Sequence, residues 1–519
     1  MNRIHQILAI LVSLLLLFVV VEGGLRLMGY GPRPTMNRFD PVLGWSKEPN
    51  ASIRRHTGEF DVTLQTNSRA LREDESRGYA KAAGETRVLL VGDSFTLGYT
   101  VERADTLSQL LERRLRAEGR SVEVLNGGTE GYSTDQEVLW LASEGVKYEP
   151  DVVVLQMYEN DIFWNAQASY LRYPKPRLKP EQAPDSALAA PATLQDPGRE
   201  PWLERNTAIG TLVGGIVSPP SVPLLPGPIA LPAEWSVRLR DDAPGWPETE
   251  AALRAFRWLA DHRGFKPLVL VIPDKAQIDP VARAQMAQAM GNDPAYDPSR
   301  PYRGMVALAR LSGLPVVEPE AALAAASDGG RRALYFGHDW HTNAIGNRVL
   351  AAQLDRALAD PDLLGPPPKP LPAGDALEPE APPAELPHRA ALILIAVWLV
   401  LGTAYWRRFP AEGPVVAFAS VGALILTVVA IAVGFGWVIG LLPPWIARLV
   451  SLAVVIGLLG AIVWYLRARL PVMAELFASF VRRGQWYMLP VLVGLLSLGG
   501  LLVVAASSPW LAPFIYTLF

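Results

Sequence analysis

The chain has 519 residues, half of them hydrophobic and 19% charged, with 48 Lys and Arg against 51 Asp and Glu for a formal net charge of −3. That balance, with no basic tract, argues against a nucleic-acid partner. With no Cys, disulfides, thiolate metal sites and a lipidated N-terminal Cys are excluded, and the composition suits any compartment.

Residues 7–21 form an uninterrupted apolar run behind Arg3 and His5. Glu22-Gly23-Gly24-Leu25-Arg26 follows, without a small-x-small cleavage pattern. This predicts an uncleaved transmembrane anchor over residues 1–27 rather than a signal peptide. In residues 28–83 the stretch Phe60-Asp61-Val62-Thr63-Leu64-Gln65-Thr66 alternates strictly and, with Trp45, suggests a small β-rich leading region of no legible function.

From Thr86 the rhythm is strand then helix. The apolar run Arg87-Val88-Leu89-Leu90-Val91 stops at Gly92-Asp93-Ser94, and a helical pattern follows over 106–118. Strands are predicted at 122–126, 151–157, 267–272 and 314–318, and helices at 135–146, 249–262, 280–290, 303–312 and 342–359. Ser133-Thr134-Asp135 reads as the cap of the first of those helices, and Asp339 and Thr342 both suit the cap of the last. Residues 162–247 are Pro-rich and break the rhythm, an insertion that is either a lid or a surface excursion. Strands alternating with helices argue a parallel sheet covered on both faces, an α/β fold.

Residues 361–388 form a linker rich in Pro, Ala and Glu. Beyond it, 389–519 carries four apolar segments long enough to span a bilayer, at 390–406, 414–433, 446–466 and 486–506. Arg407 and Arg408 follow the first, and Arg467, Arg469, Arg482 and Arg483 lie between the third and fourth. With the N-terminus in the cytoplasm, five spans put all of these arginines inside and leave the middle of the chain and the C-terminus outside. The expected location is the inner (cytoplasmic) membrane, with the α/β domain periplasmic or extracellular. A four-span bundle with few ionisable groups reads as an anchor and a docking surface for a membrane-protein partner.

Four groups of chemistry-bearing residues stand where strands end or the last helix begins. They are Gly92-Asp93-Ser94; Gly127-Gly128-Thr129-Glu130-Gly131; Tyr158-Glu159-Asn160-Asp161; and His338-Asp339-Trp340-His341. Strand ends of one parallel sheet share a rim, so a hydroxyl, an imidazole, a carboxylate and amide donors can meet there. No metal-ligand cluster and no cofactor motif is seen, and His5, His56, His262 and His388 read as surface residues without an acidic partner. Lys275 follows a strand and can line the rim.

These pieces, in this order, resemble the SGNH (GDSL-like) hydrolase superfamily over about residues 84–360. The resemblance implies a flavodoxin-like three-layer α/β/α domain. It also implies Ser94 as nucleophile, His341 as base and Asp339 as its orienting carboxylate. Ser94, Gly131 and Asn160 would supply the oxyanion hole. Two positions depart from the family pattern. Tyr158 stands where Gly is usual, and only Trp340, rather than two residues, separates Asp339 from His341, with His338 as an alternative base. The implied function is a membrane-anchored serine esterase or deacylase acting on O-acyl esters of an envelope or extracellular polysaccharide. The alternatives are an O-acetyltransferase on such a polysaccharide and a non-catalytic glycan-binding or membrane-assembly protein. The C-terminal end resembles a small bacterial membrane-protein family of unknown role.

Overall fold

A computed structural model describes residues 36–369, with breaks at 172, 190, 199–202, 204–205 and 218–231, and short stretches between 18 and 25 and between 398 and 423. The chain divides into two units, Gly29–Pro379 and one made from Met1–Met28 with Glu380–Phe519. Most of the second unit, including the third and fourth expected spans, lies outside the described residues. Among those described there, the Trp398 indole donates to the Phe418 carbonyl at 2.7 Å. Among the described residues no helix is long and apolar enough to cross a membrane.

The first unit opens with two antiparallel hairpins, β1 (Asn37–Asp40) with β2 (Gly44–Lys47) and β3 (Ser52–His56) with β4 (Asp61–Gln65). Burial alternates along β4, and Val62 and Leu64 face inward as the sequence pattern requires.

Five parallel strands follow: β5 (Thr86–Val91), β6 (Val122–Asn126), β7 (Val152–Met157), β10 (Lys266–Val271) and β11 (Val316–Val317). A two-residue hairpin, β8 (Ser169–Tyr170) and β9 (Tyr173–Pro174), lies in the insertion. The sheet order is β11-β10-β7-β5-β6, so the chain reverses direction of winding between β5 and β7. Open α/β sheets hold ligands at that switch point, beyond the carboxyl ends of the strands.

The strands are apolar throughout because both faces are covered. Leu89, Val91, Leu155 and Val269 face the helices Thr134–Ser143, Trp246–Arg263 and Arg300–Leu311. Val88, Leu90, Val154 and Leu268 face Leu107–Ala117, Glu320–Ser327 and Ala344–Leu358. Each such side chain, fully buried, contributes about 1.5–3 kcal/mol.

Several expected boundaries move. The edge strand expected at 314–318 shrinks to Val316–Val317, which pair with Val269 and Leu270 of β10. The helix expected at 135–146 stops at Ser143 and passes into a tighter turn, Gly145–Tyr148. Ser133 stands at its start, but its hydroxyl donates to Asp135 rather than capping the backbone. At the last helix neither Asp339 nor Thr342 is the cap; Asn343 accepts the Ile345 and Gly346 amides, each at 3.0 Å. The insertion is no loose excursion. Lys175 is buried against Asp135 through an ion pair, and Arg238 is buried against Glu159 and Asp274.

Candidate active site

The first loop carries Ser94. A Cβ on Gly92 would lie 2.3 Å from Thr96 Oγ1 and 2.5 Å from Gln156 Oε1, so the exit from β5 requires glycine. Asp93 accepts the Phe95 amide at 2.8 Å and starts a single-turn helix, Ser94–Leu97. Its far end is closed by Arg72, which is 1% exposed and donates to the carbonyls of Leu97 (2.9 Å), Gly98 and Val101 (2.7 Å).

The second loop packs directly on the first. Thr129 donates to the Gly92 carbonyl at 2.9 Å, and a Cβ on Gly128 would lie 2.2 Å from the Leu97 nitrogen. Gly131 has φ 77° and lies under the Tyr170 ring. The leading hairpins hold this loop from outside. Lys47 donates to the Gly128 carbonyl, Trp45 to the Glu130 carbonyl at 2.9 Å, and Arg55 pairs with the Glu130 carboxylate at 2.7 Å. Burial lowers the Lys47 ammonium to about 7.

In the third loop Asn160 opens the helix Asn160–Asn165, and its side-chain amide oxygen is buried without a hydrogen-bond partner among the described residues. Asp161 Oδ2 accepts the Tyr158 amide at 3.0 Å. Tyr158 is not in the left-handed region, so its backbone does not demand the glycine of the family pattern. Its ring lies 4.6 Å from Phe95 and its hydroxyl donates to Asp274 at 2.6 Å. Arg238, from the insertion, joins Glu159 and Asp274. Burial disfavours its charge, and the two carboxylates more than offset that, raising its pKa.

The fourth loop brings the imidazole. His341 Nε2 lies 2.7 Å from Ser94 Oγ, and His341 Nδ1 lies 2.6 Å from Asp339 Oδ1. Asp339 Oδ2 accepts the Tyr99 hydroxyl at 2.7 Å. Burial works against the Asp339 charge, but hydrogen bonds from His341 and Tyr99 outweigh it and hold the carboxyl below its usual range. Trp340 explains how one intervening residue suffices. It has φ 66°, a left-handed turn that puts the side chains before and after it in contact. His338 is exposed, and its amide is taken by Glu59 at 3.0 Å.

Under this rim lie carboxyl groups that chemistry at Ser94 does not need. Glu137 is 0% exposed and neither of its oxygens has a hydrogen-bond partner among the described residues. Burial, then Asp161, Asp93 and Asp135, raise its pKa well above the usual value. Burial likewise lifts Asp93 to about 6, opposed by His341.

Sequence patterns singled out Ser94, Gly131, Asn160, Asp339 and His341, and the structure draws Ser94, His341 and Asp339 into one hydrogen-bonded chain. They missed Tyr99, Glu59, Arg72, Trp45 and Lys47, whose contacts span dozens to hundreds of positions with no local motif. Lys275 does reach the rim, donating to the Phe336 and Gly337 carbonyls at 2.9 and 2.8 Å. His56 has an acidic neighbour after all, Asp61 at 3.2 Å across its hairpin, and His262 is exposed beside Trp258.

Five parallel strands in this order, with a serine turn after the first and an Asp-Trp-His loop before the last helix, define a flavodoxin-like α/β fold of the kind the SGNH resemblance implies. Solved structures that the chain resembles include a lipase/acylhydrolase from Enterococcus faecalis, at 17% identity over 53% of this chain and 95% of that one, TM-score 0.28. An acetyl xylan esterase matches at 14% identity over 52% and 99%, TM-score 0.30. An acetylxylan esterase from Geobacillus stearothermophilus matches at 12% identity over 54% and 96%, TM-score 0.29. The fold assignment itself rests on the strand order and loops described above. Residues 470–519 match a family of unknown function, DUF5989, and lie outside the described residues. No curated protein matches the chain.

Proposed function

We propose that the chain is a membrane-anchored serine esterase that removes O-acyl groups from an envelope or extracellular polysaccharide. The observation that carries this reading is the pair of contacts joining Ser94 to His341 at 2.7 Å and His341 to Asp339 at 2.6 Å. His341 Nε2 takes the Ser94 hydroxyl proton as Oγ attacks the acyl carbonyl, and Asp339 orients the imidazole and stabilises its positive charge. The amides of Ser94 and Gly131 and the side chain of Asn160 receive the oxyanion. His341 returns the proton to the sugar oxygen as the C–O bond breaks, leaving an acyl group on Ser94. Water, deprotonated by the same imidazole, then releases the acid.

The substrate class follows from the SGNH resemblance together with the apolar segments at both ends, which suit a domain held at the outer face of the inner membrane. The test is a fluorophosphonate probe on the folded full chain, with a short-chain aryl ester as substrate. Labelling of Ser94 and loss of both label and turnover in Ser94→Ala support the reading; a folded wild-type chain that takes no label at Ser94 overturns it. Release of acetate to water rather than to a sugar acceptor separates hydrolysis from transfer.

A further inference from the structure

The loop that carries Asp339 and His341 is short and strained, and part of what holds it comes from outside the α/β domain. The turn between β3 and β4 is built by Thr57, whose hydroxyl accepts the Glu59 and Phe60 amides at 3.1 Å. It presents Glu59 to the loop. Glu59 Oε2 accepts two consecutive amides, those of His338 and Asp339, each at 3.0 Å, and Oε1 accepts the His338 amide as well. The fit is close enough that a Cβ on Gly337 would stand 2.8 Å from Glu59 Oε1. Phe60 packs edge-on against Phe336 at 5.3 Å and Tyr99 at 6.2 Å.

The bonds fall immediately before Trp340, the residue with φ 66°. A bulky side chain rarely adopts that conformation, and it persists only where the surroundings over-determine it. Tyr99 acts at the other end of the same residue, donating to Asp339 Oδ2 at 2.7 Å while Arg55 lies 4.4 Å over its ring. Asp339 is therefore gripped twice, by its amide and by the carboxylate oxygen that faces away from His341.

We infer that Glu59 and Tyr99 are positioning residues that clamp Asp339 against His341, making the leading β-hairpin an integral part of the active site. The inference rests on the triad reading above. Glu59 acts through the loop backbone at Asp339, whereas Tyr99 also packs edge-on against the His341 ring at 4.5 Å and its amide donates to the Ser94 carbonyl at 3.3 Å; neither side chain hydrogen-bonds Ser94 Oγ.

The test uses the full chain and two readouts, ester turnover and the downfield proton resonance of an imidazole Nδ1–H bonded to a carboxylate. Glu59→Ala is expected to lower kcat about 10- to 100-fold with KM little changed, the size of effect that a small misplacement produces, and to weaken the resonance. Glu59→Gln keeps an oxygen able to accept both amides and should restore both. Tyr99→Phe deletes one oxygen and should lower kcat in the same way, so it decides the matter where Glu59→Ala does not fold. Wild-type kcat and resonance in both variants overturn the inference. A wild-type chain that shows the resonance and loses it in Glu59→Ala, yet neither turns over ester nor labels at Ser94, retains the clamp and removes the catalytic reading.

Discussion

Glu137 offers a stability prediction with a defined slope. Its carboxyl is 0% exposed, with both oxygens unpartnered among the described residues, and burial raises its pKa well above 4.5. The folded chain therefore keeps the proton, whereas the unfolded chain releases it above about pH 4.5. The sign follows from linkage: where the native state binds more protons than the unfolded one, stability falls as pH rises. The fall is about 1.4 kcal/mol per pH unit until the folded pKa is reached. Glu137→Gln abolishes this ionisation in both states. It also buries two N–H donors, a penalty of about 1–3 kcal/mol that does not vary with pH. As pH rises from about 4.5 toward the folded pKa, the variant should gain steadily on the wild type. Urea unfolding of the full chain, followed by tryptophan fluorescence across that range, measures the difference. A difference that stays constant with pH refutes the argument that Glu137 is held neutral.

Asp339→Asn should lower ester kcat by about 10³- to 10⁴-fold with KM nearly unchanged, since the imidazole loses its carboxylate partner; steady-state kinetics check this. Asn160→Ala should cost about 100- to 1000-fold in kcat through the oxyanion hole. Arg238→Met leaves Glu159 and Asp274 buried without their cation and should destabilise the fold by about 3–5 kcal/mol, which a thermal melt will report as a lowered midpoint. A reporter fused after Phe519 should be active outside the cytoplasm and silent inside; the opposite result removes the five-span topology.

The sheet was legible because its signal is local. Continuous apolar runs such as Val88–Val91 and 152–155, rich in Val and Leu and stopped by turn residues, read as strands covered on both faces, and the turn residues after them mark the rim. The edge strand was overdrawn, because 314–318 has the same composition whether or not a neighbour pairs with it. Single-turn helices such as Lys275–Ile278 escaped notice, being too short for a periodicity to develop. The Glu59 contacts join residues 279 and 280 positions apart, and nothing around Glu59 announces an acceptor for backbone amides. The part played by the insertion was illegible for a related reason. Its proline content records irregular backbone, whereas its role depends on the two cations, Lys175 and Arg238, that it sends into the interior.

Ser94 and His341 are 247 positions apart, and the helix that follows the imidazole ends at Leu358. A growing polypeptide that already carries the serine turn, the hairpins and the five strands thus still lacks the imidazole that stands 2.7 Å from the Ser94 hydroxyl, so under the esterase reading proposed above an interrupted product would carry an unpaired alcohol.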